Sequence, residues 1–294
     1  RAGQGEKDMG YQGNPCWYEL GTGDLEAARA FYAGVLGWQV ADAGMKDFTY
    51  LLARSGGDMV AGMMSLAGQE AAPPPNWLIY FAVDDCDRTA GEITRAGGRV
   101  MRGPADIPGT GRFAIAADPQ GAVFGILEPD MDGMSAGDVA RAERGEGAFD
   151  QAKEGHGNWH ELMTTDPAAG FDFYAGLFGW TKGEAMDMGS MGTYQLFRHK
   201  GTDIGGMMGL GNAPMPVWLP YFGANGIVEA IGRVRAAGGT IAHGPVEVPG
   251  GAFIAACTDG IAMARGEYVV FLNDDTRVHP TWLAAMVDTA RRRG

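Results

Sequence analysis

The residues best suited to chemistry in this chain come in matched pairs. Glu19 stands two positions after Trp17, and Glu161 stands two positions after Trp159. Side chains alternate between faces along a strand, so each glutamate shares a face with its tryptophan. A carboxyl buried beside an indole loses its water, which raises its pKa and fits it for acid or base work. Tyr80 and Tyr221 follow Leu78 and Leu219 at the same spacing, and Tyr50 and Tyr194 add a second phenol to each set. Catalysis is one reading of these groups. A pocket for a flat or greasy ligand fixed by few polar groups is another. A third is that the aromatics fill a core while the glutamate pairs with an arginine. Cys16 precedes a strand and has no evident base, which argues against a nucleophile. Cys16, Cys86 and Cys257 lie far apart with no C-x-x-C pair, so they read as reduced thiols of a cytoplasmic protein. The glycine-rich stretches do not follow the strand-to-helix pattern of a phosphate loop.

The pairing reflects a repeat. Residues 17–38 align without a gap on residues 159–180, with 12 of 22 positions identical. The shared set includes Asp24 and Asp166, Phe31-Tyr32-Ala33-Gly34 and Phe173-Tyr174-Ala175-Gly176, and Gly37-Trp38 and Gly179-Trp180. Gly62-Met63-Met64 recurs as Gly206-Met207-Met208. Trp77-Leu78, Tyr80-Phe81, Ala96-Gly97-Gly98, Gly103-Pro104 and Pro108-Gly109 recur 141 residues later. This period exceeds that of solenoid repeats, so each copy is expected to be a whole domain.

Local patterns supply the elements. Residues 15–21 alternate as a strand does. Asp24 is placed to cap a helix carrying Leu25, Ala28, Phe31, Tyr32 and Val35, which Gly37 ends. Pro167 takes the favoured first position of the matching helix. Tyr50 to Arg54 and Met59 to Leu66 read as strands around Gly56-Gly57, and Trp77 to Val83 as another. Asp84 or Asp87 is expected to open a second helix reaching Ala96. Strands at about 112–117 and 122–127 flank the turn at Asp118-Pro119-Gln120-Gly121. The plan is βαβββ twice in each unit, an α+β class. Glycine, 49 of 294 residues, is concentrated at caps and hairpins. The expected boundaries are a disordered segment over 1–13, a first domain over 14–130, a linker over 131–155 with a short helix near Ser135 to Arg144, and a second domain over 156–272.

With 23 basic and 36 acidic residues the formal net charge is −13, which repels phosphate backbones and anionic membranes. No apolar run approaches the roughly 18–20 residues needed to span a bilayer. Nucleic acid and membrane partners are therefore not expected. Residues 1–13 are polar and glycine-rich, unlike a signal peptide.

Paired βαβββ units carrying D-x-x-x-A-x-x-FY-x-x-x-x-GW resemble the vicinal oxygen chelate superfamily, which includes glyoxalase I, extradiol dioxygenases and bleomycin-resistance proteins. The finer motifs, such as WLIYFAVDD and DIPGTGRFAIAADPQGAVFGILEP, are similar to its tandem glyoxalase-like branch. The resemblance implies a curved eight-stranded sheet around a cavity in each domain. It also implies a divalent metal held from the first strand of each half and from the last strand. Those positions fall on Trp17, Trp159, Leu78, Leu219 and Gly125, whose side chains supply no ligand atoms. The expectation is a metal-free cavity needing no cofactor, lined by Trp17, Glu19, Tyr50, Leu78, Tyr80, Trp159, Glu161, Tyr194, Leu219 and Tyr221. It would take a small hydrophobic or aromatic molecule, in a monomer or homodimer. A metal-dependent lyase or dioxygenase using Glu19 and Glu161, and a non-catalytic protein with filled barrels, remain the alternatives. His160 lies one residue out of phase with the inherited ligand position and should point away from the cavity. His199 and His243 sit near turns.

From Gly260 the sequence leaves the repeat. The run A-x-G-x-Y-V-x-F-L-N-D-D followed by P-x-W-L resembles a fragment of inverting GT-A type glycosyltransferases. That resemblance implies metal binding by Asp274 and Asp275. About 35 residues cannot build such a site, so glycosyl transfer is not expected. Glu267 to Leu272 could instead supply the missing last strand, with a helix from Pro280 to Arg293 beyond it.

Overall fold

The alternating segments form two curved eight-stranded sheets, one from each copy of the repeat. The structure, a computed structural model, describes residues 11–46, 48–68, 73–131, 137, 140–141, 147–187, 192–211, 213–247, 253–258 and 269–273. The first copy runs β1 (Pro15–Thr22), α1 (Leu25–Leu36), β2 (Gln39–Asp42), β3 (Tyr50–Ser55), β4 (Asp58–Ser65), β5 (Asn76–Ala82), α2 (Cys86–Arg95), β6 (Arg99–Ile107), β7 (Gly111–Ala117) and β8 (Val123–Pro129). Its strand order is β2-β3-β4-β1-β5-β8-β7-β6. β1 and β5 pair antiparallel at the centre, and each lies parallel to the last strand of its own βαβββ unit. The second copy repeats this with β9 (Gly157–Thr164), α3 (Pro167–Phe178), β10 (Thr181–Asp187), β11 (Thr193–His199), β12 (Thr202–Gly209), β13 (Val217–Ala224), α4 (Ile227–Ala236), β14 (Thr240–Glu247), β15 (Phe253–Thr258) and β16 (Val269–Asn273). No helix among the described residues is long and apolar enough to cross a membrane.

Helix ends follow the capping chemistry. Asp24 accepts from the Ala27 N–H at 2.9 Å, and Asp166 accepts from Ala169 at 3.0 Å. Gly37 and Gly179 close α1 and α3 in the left-handed region, at φ 70° and 68°. The second helix departs from expectation: neither Asp84 nor Asp87 opens it, because Asp85 is the residue that accepts from the Arg88 N–H, at 2.8 Å. Its counterpart before α4 is Gly226, which leaves α4 without a side-chain cap.

The two halves share one core. Trp38 donates its indole N–H to the Gly155 carbonyl at 2.8 Å, and its counterpart Trp180 donates to the Gly13 carbonyl at 2.9 Å. Between them, the Tyr18 hydroxyl and His160 Nε2 lie 2.7 Å apart with stacked rings. Phe81 and Phe222 carry aromatic edges across the seam to Trp180 and Trp38. Arg233 donates to the Val35 carbonyl near the C-terminal end of α1 at 2.8 Å, a favourable place for a cation.

These contacts correct two expected boundaries. Residues 11–13 are ordered and packed: Tyr11 and Gly13 are buried, and Gln12 bonds to Leu177 and Asp84. The segment 147–155 is not a free linker, since Ala148 and Phe149 enter the shared core. Lys153 and His156 both reach Asp58 in the β3–β4 hairpin, and Arg141 meets the same carboxylate at 2.8 Å. The Arg141 and Lys153 cations and the His156 hydrogen bond hold the Asp58 carboxyl at about 2 despite its partial burial. Of the helix expected near Ser135 to Arg144, only 137, 140 and 141 are described, and all three are helical.

β16 comes from the segment that leaves the repeat. It lies parallel to β13 and antiparallel to β15, the place that β8 holds in the first sheet. Truncation after Asp259 should leave the facing edges of β13 and β15 without ladder partners. Faster amide exchange in those two strands, with a lower melting temperature, is the expected result; unchanged exchange would show that β16 carries no ladder. The helix expected from Pro280 and the carboxylates Asp274 and Asp275 lie outside the described residues.

Candidate functional site

The central strands β1 and β5 bring the matched residues of the first half together. Trp17 lies opposite Tyr80 in the ladder, and Glu19 lies opposite Leu78. Tyr80 donates to Glu19 Oε1 at 3.1 Å. Tyr50, from β3, donates to Oε2 at 2.9 Å and accepts from the Trp17 indole at 3.1 Å. The result is a carboxyl clasped between two phenols, one of them oriented by an indole. It is not the glutamate–arginine pair that one reading expected.

Glycines make the clasp possible. A Cβ at Gly62 would overlap the Tyr50 ring, and a Cβ at Gly125 would overlap the Tyr80 ring. Gly125, where the vicinal oxygen chelate resemblance places a metal-binding carboxylate, is therefore the seat of a tyrosine ring. The second half repeats the arrangement. Trp159 donates to the Tyr194 hydroxyl at 3.0 Å, and Tyr194 and Tyr221 donate to Glu161 Oε2 at 3.4 and 3.0 Å. Gly206 seats Tyr194.

The two clasps differ in access. In the first, Trp17, Glu19 and Tyr50 are half-buried, and Leu78, Tyr80 and Phe113 form an apolar cluster separate from the main core. In the second, Trp159, Glu161, Tyr194 and Tyr221 are all at most 1% exposed. The strand neighbours of the two tyrosines differ as well: Met186, which is buried, stands opposite Tyr194, whereas the Ala43 N–H donates to the Tyr50 carbonyl.

Burial sets the electrostatics. Glu161 is raised to about 7, because the loss of water outweighs its two phenol donors. Glu19 is raised for the same reason, and its phenols and the Arg102 charge oppose the shift. Tyr80, Tyr194 and Tyr221 are pushed well above the usual phenol range by burial and by the neighbouring carboxyl, so they remain donors. Burial also raises the Cys16 thiol, whose Sγ contacts the Tyr80 carbonyl at 3.4 Å, so it is no thiolate nucleophile.

These residues do not fit a divalent metal. Trp17, Leu78 and Gly125 offer no donor atoms, both Glu19 oxygens accept from protonated phenols, and no group of three or more His, Cys, Asp or Glu converges among the described residues. His156 and His160 stand four apart, but they meet different partners. His156 reaches Asp58 and the Glu154 carbonyl; His160 lies between Tyr18 and the Ile204 carbonyl, away from the clasp. Burial lowers His160 to about 4. His199 ends β11 and is buried, and His243 lies within β14. The interface pair Tyr18–His160 has no signal in the repeat, because the two positions differ in type.

Fold and site together define a tandem βαβββ protein whose curved sheets each enclose a polar clasp in an apolar lining. The chain belongs to the glyoxalase/bleomycin resistance protein/dioxygenase superfamily, whose family model matches residues 16–126. It is 30% identical over 245 residues to the protein called "Putative glyoxylase CFP32" of Mycobacterium tuberculosis, covering 81% of this chain and 87% of the relative. It is also 30% identical over 257 residues to the anthracycline biosynthesis protein DnrV of Streptomyces peucetius, with the same coverage. Among solved structures, a Mn(II)-bound glyoxalase from Novosphingobium aromaticivorans superposes with TM-score 0.60 at 15% identity, over 91% of this chain and 84% of that one. Residues 249–294 match the glycosyl transferase family 2 model.

Proposed function

We propose that the chain binds a small, planar aromatic molecule on the open clasp of its first sheet, without a metal at the positions its family uses. The observation that carries this reading is the chain Trp17–Tyr50–Glu19–Tyr80, half-buried at all but Tyr80, beside the apolar cluster of Leu78, Tyr80 and Phe113. Aromatic walls supply stacking area, and the carboxyl and phenols fix one ligand hydroxyl or carbonyl. The raised Glu19 carboxyl can hold or accept a proton at that ligand atom, the step that would turn binding into turnover. The similarity to a protein named for anthracycline biosynthesis favours fused-ring ligands. The second clasp is packed shut, which supports a filled barrel for that half.

Calorimetry with neutral two- to four-ring quinones and phenols tests the reading. At least one should bind wild-type protein below about 100 μM, near −5.5 kcal/mol. Trp17→Ala and Glu19→Gln should each weaken it about tenfold, and added Mn, Fe, Ni or Zn should leave it unchanged. Silence across the panel, or affinity indifferent to Trp17 and Glu19, would remove the site.

A further inference from the structure

A single row of side chains crosses five strands of the first sheet. Trp17 lies opposite Tyr80, Tyr80 opposite Gly125, Gly125 opposite Ile115, and Ile115 opposite Arg102 on β6. Residues opposite one another in a ladder project from the same face, so Arg102 belongs to the face that carries the clasp. Its guanidinium carbon lies 4.9 Å from the centre of the Phe113 ring, and Phe113 packs at 6.5 Å against Tyr80. Arg102 is exposed and makes no ion pair or hydrogen bond among the described residues. By contrast, Arg112 on the adjacent strand is held by Asp87 and Asp106. An aromatic face therefore positions Arg102 while leaving its five N–H donors for an incoming group. At the opposite side of the clasp Phe48, 51% exposed, meets the Tyr50 ring edge-on.

Resting on the binding reading above, we infer that the ligand is amphipathic: its ring system enters toward Trp17 and Tyr80, and an anionic group on its outer edge pairs with Arg102. The ligand class is an aromatic carboxylate or a comparably acidic oxyanion. The chain's net charge of −13 opposes an anion at long range. That field is screened over about 8 Å at physiological salt, whereas a guanidinium–carboxylate pair acts at contact. The local pair therefore decides affinity, and the global charge only slows approach.

Two probes of the same shape test the inference: anthraquinone-2-carboxylate and neutral 2-(hydroxymethyl)anthraquinone, titrated against the full chain. The carboxylate should bind about tenfold more tightly at low salt, and the margin should shrink as salt rises. Arg102→Met should abolish the margin, bringing the carboxylate to the affinity of the neutral probe measured on the same variant. Arg99→Met, which removes an equal charge from the same strand, should preserve the margin. Equal binding of both probes by wild-type protein would overturn the anion assignment alone, and so would a margin that survives Arg102→Met. Failure of both probes to bind, with silence from the wider neutral panel, would overturn the binding reading and this inference with it.

Discussion

Replacing Glu161 with glutamine should flatten the fall in stability that the wild-type protein shows between acid and neutral pH. Glu161 is 1% exposed, and its carboxyl is raised from 4.5 to about 7. The folded chain therefore keeps this proton over a range in which the unfolded chain has released it. A carboxyl raised on folding contributes its full share of stability below the unfolded value. That share is lost as pH climbs through the folded value. About 2.5 pH units at 1.36 kcal/mol each gives a loss of about 3 kcal/mol between pH 4.5 and 7. Glutamine is neutral throughout and keeps an acceptor for Tyr221. Urea unfolding at pH 4.5, 6, 7 and 8 should show the difference between variant and wild type moving by about that amount in favour of the variant. A pH-independent difference would mean that the second clasp is wetter than its burial indicates.

The same substitution at Glu19 should have a smaller effect on stability and a larger one on ligand binding. Both glutamates meet the same two phenols, so the difference lies in what surrounds them. Glu19 is half-buried and feels the charge of Arg102, while Glu161 is 1% exposed. One copy of the repeat has kept an accessible polar group. The other has spent it on a closed interior, where an ionised carboxyl is a liability at neutral pH.

The sequence alone exposes much of this, because most of the signals are local. Asp24, Pro167 and Gly37 mark helix ends by chemistry that depends on a few neighbouring residues, and the structure uses all three. Trp17, Glu19, Leu78 and Tyr80 follow from strand alternation plus the repeat. β2 and β6 are harder to see: their residues are mostly exposed or half-exposed, so neither segment shows an alternating pattern. The closing of the second clasp is a matter of tertiary packing: Glu19 and Glu161 match by type across the repeat, and no local signal tells that one is half-buried and the other buried. The docking of residues 11–13 and 147–155 is hidden for a similar reason. Their few apolar side chains become core only when the halves meet. Arg102 looks like any surface arginine until the ladder aligns it with Tyr80.

Trp180→Ala should cost about 3–5 kcal/mol and lower the stability of both sheets together. The ring is 3% exposed, stacks on Phe197 at 4.5 Å, and meets Phe81 of the other half edge-on at 5.1 Å. Its N–H is also the donor to the Gly13 carbonyl, which truncation leaves without that partner. Gly13 is poorly placed to move and compensate: its φ is 83°, and a Cβ there would lie 2.7 Å from the Phe178 side chain. Trp38→Ala should cost a similar amount, since Trp38 is 2% exposed, bonds to Gly155 and meets Phe222 across the seam. Trp180→Phe separates the contributions: it keeps a ring and removes the donor, so roughly 1–2 kcal/mol of the loss should remain. Scanning calorimetry should give one transition for wild type and for each variant, displaced downward, because the aromatic core runs unbroken through both halves. Two transitions, only one of them displaced, would show that the halves are separate folding units and that the seam tryptophans stabilise only their own sheets.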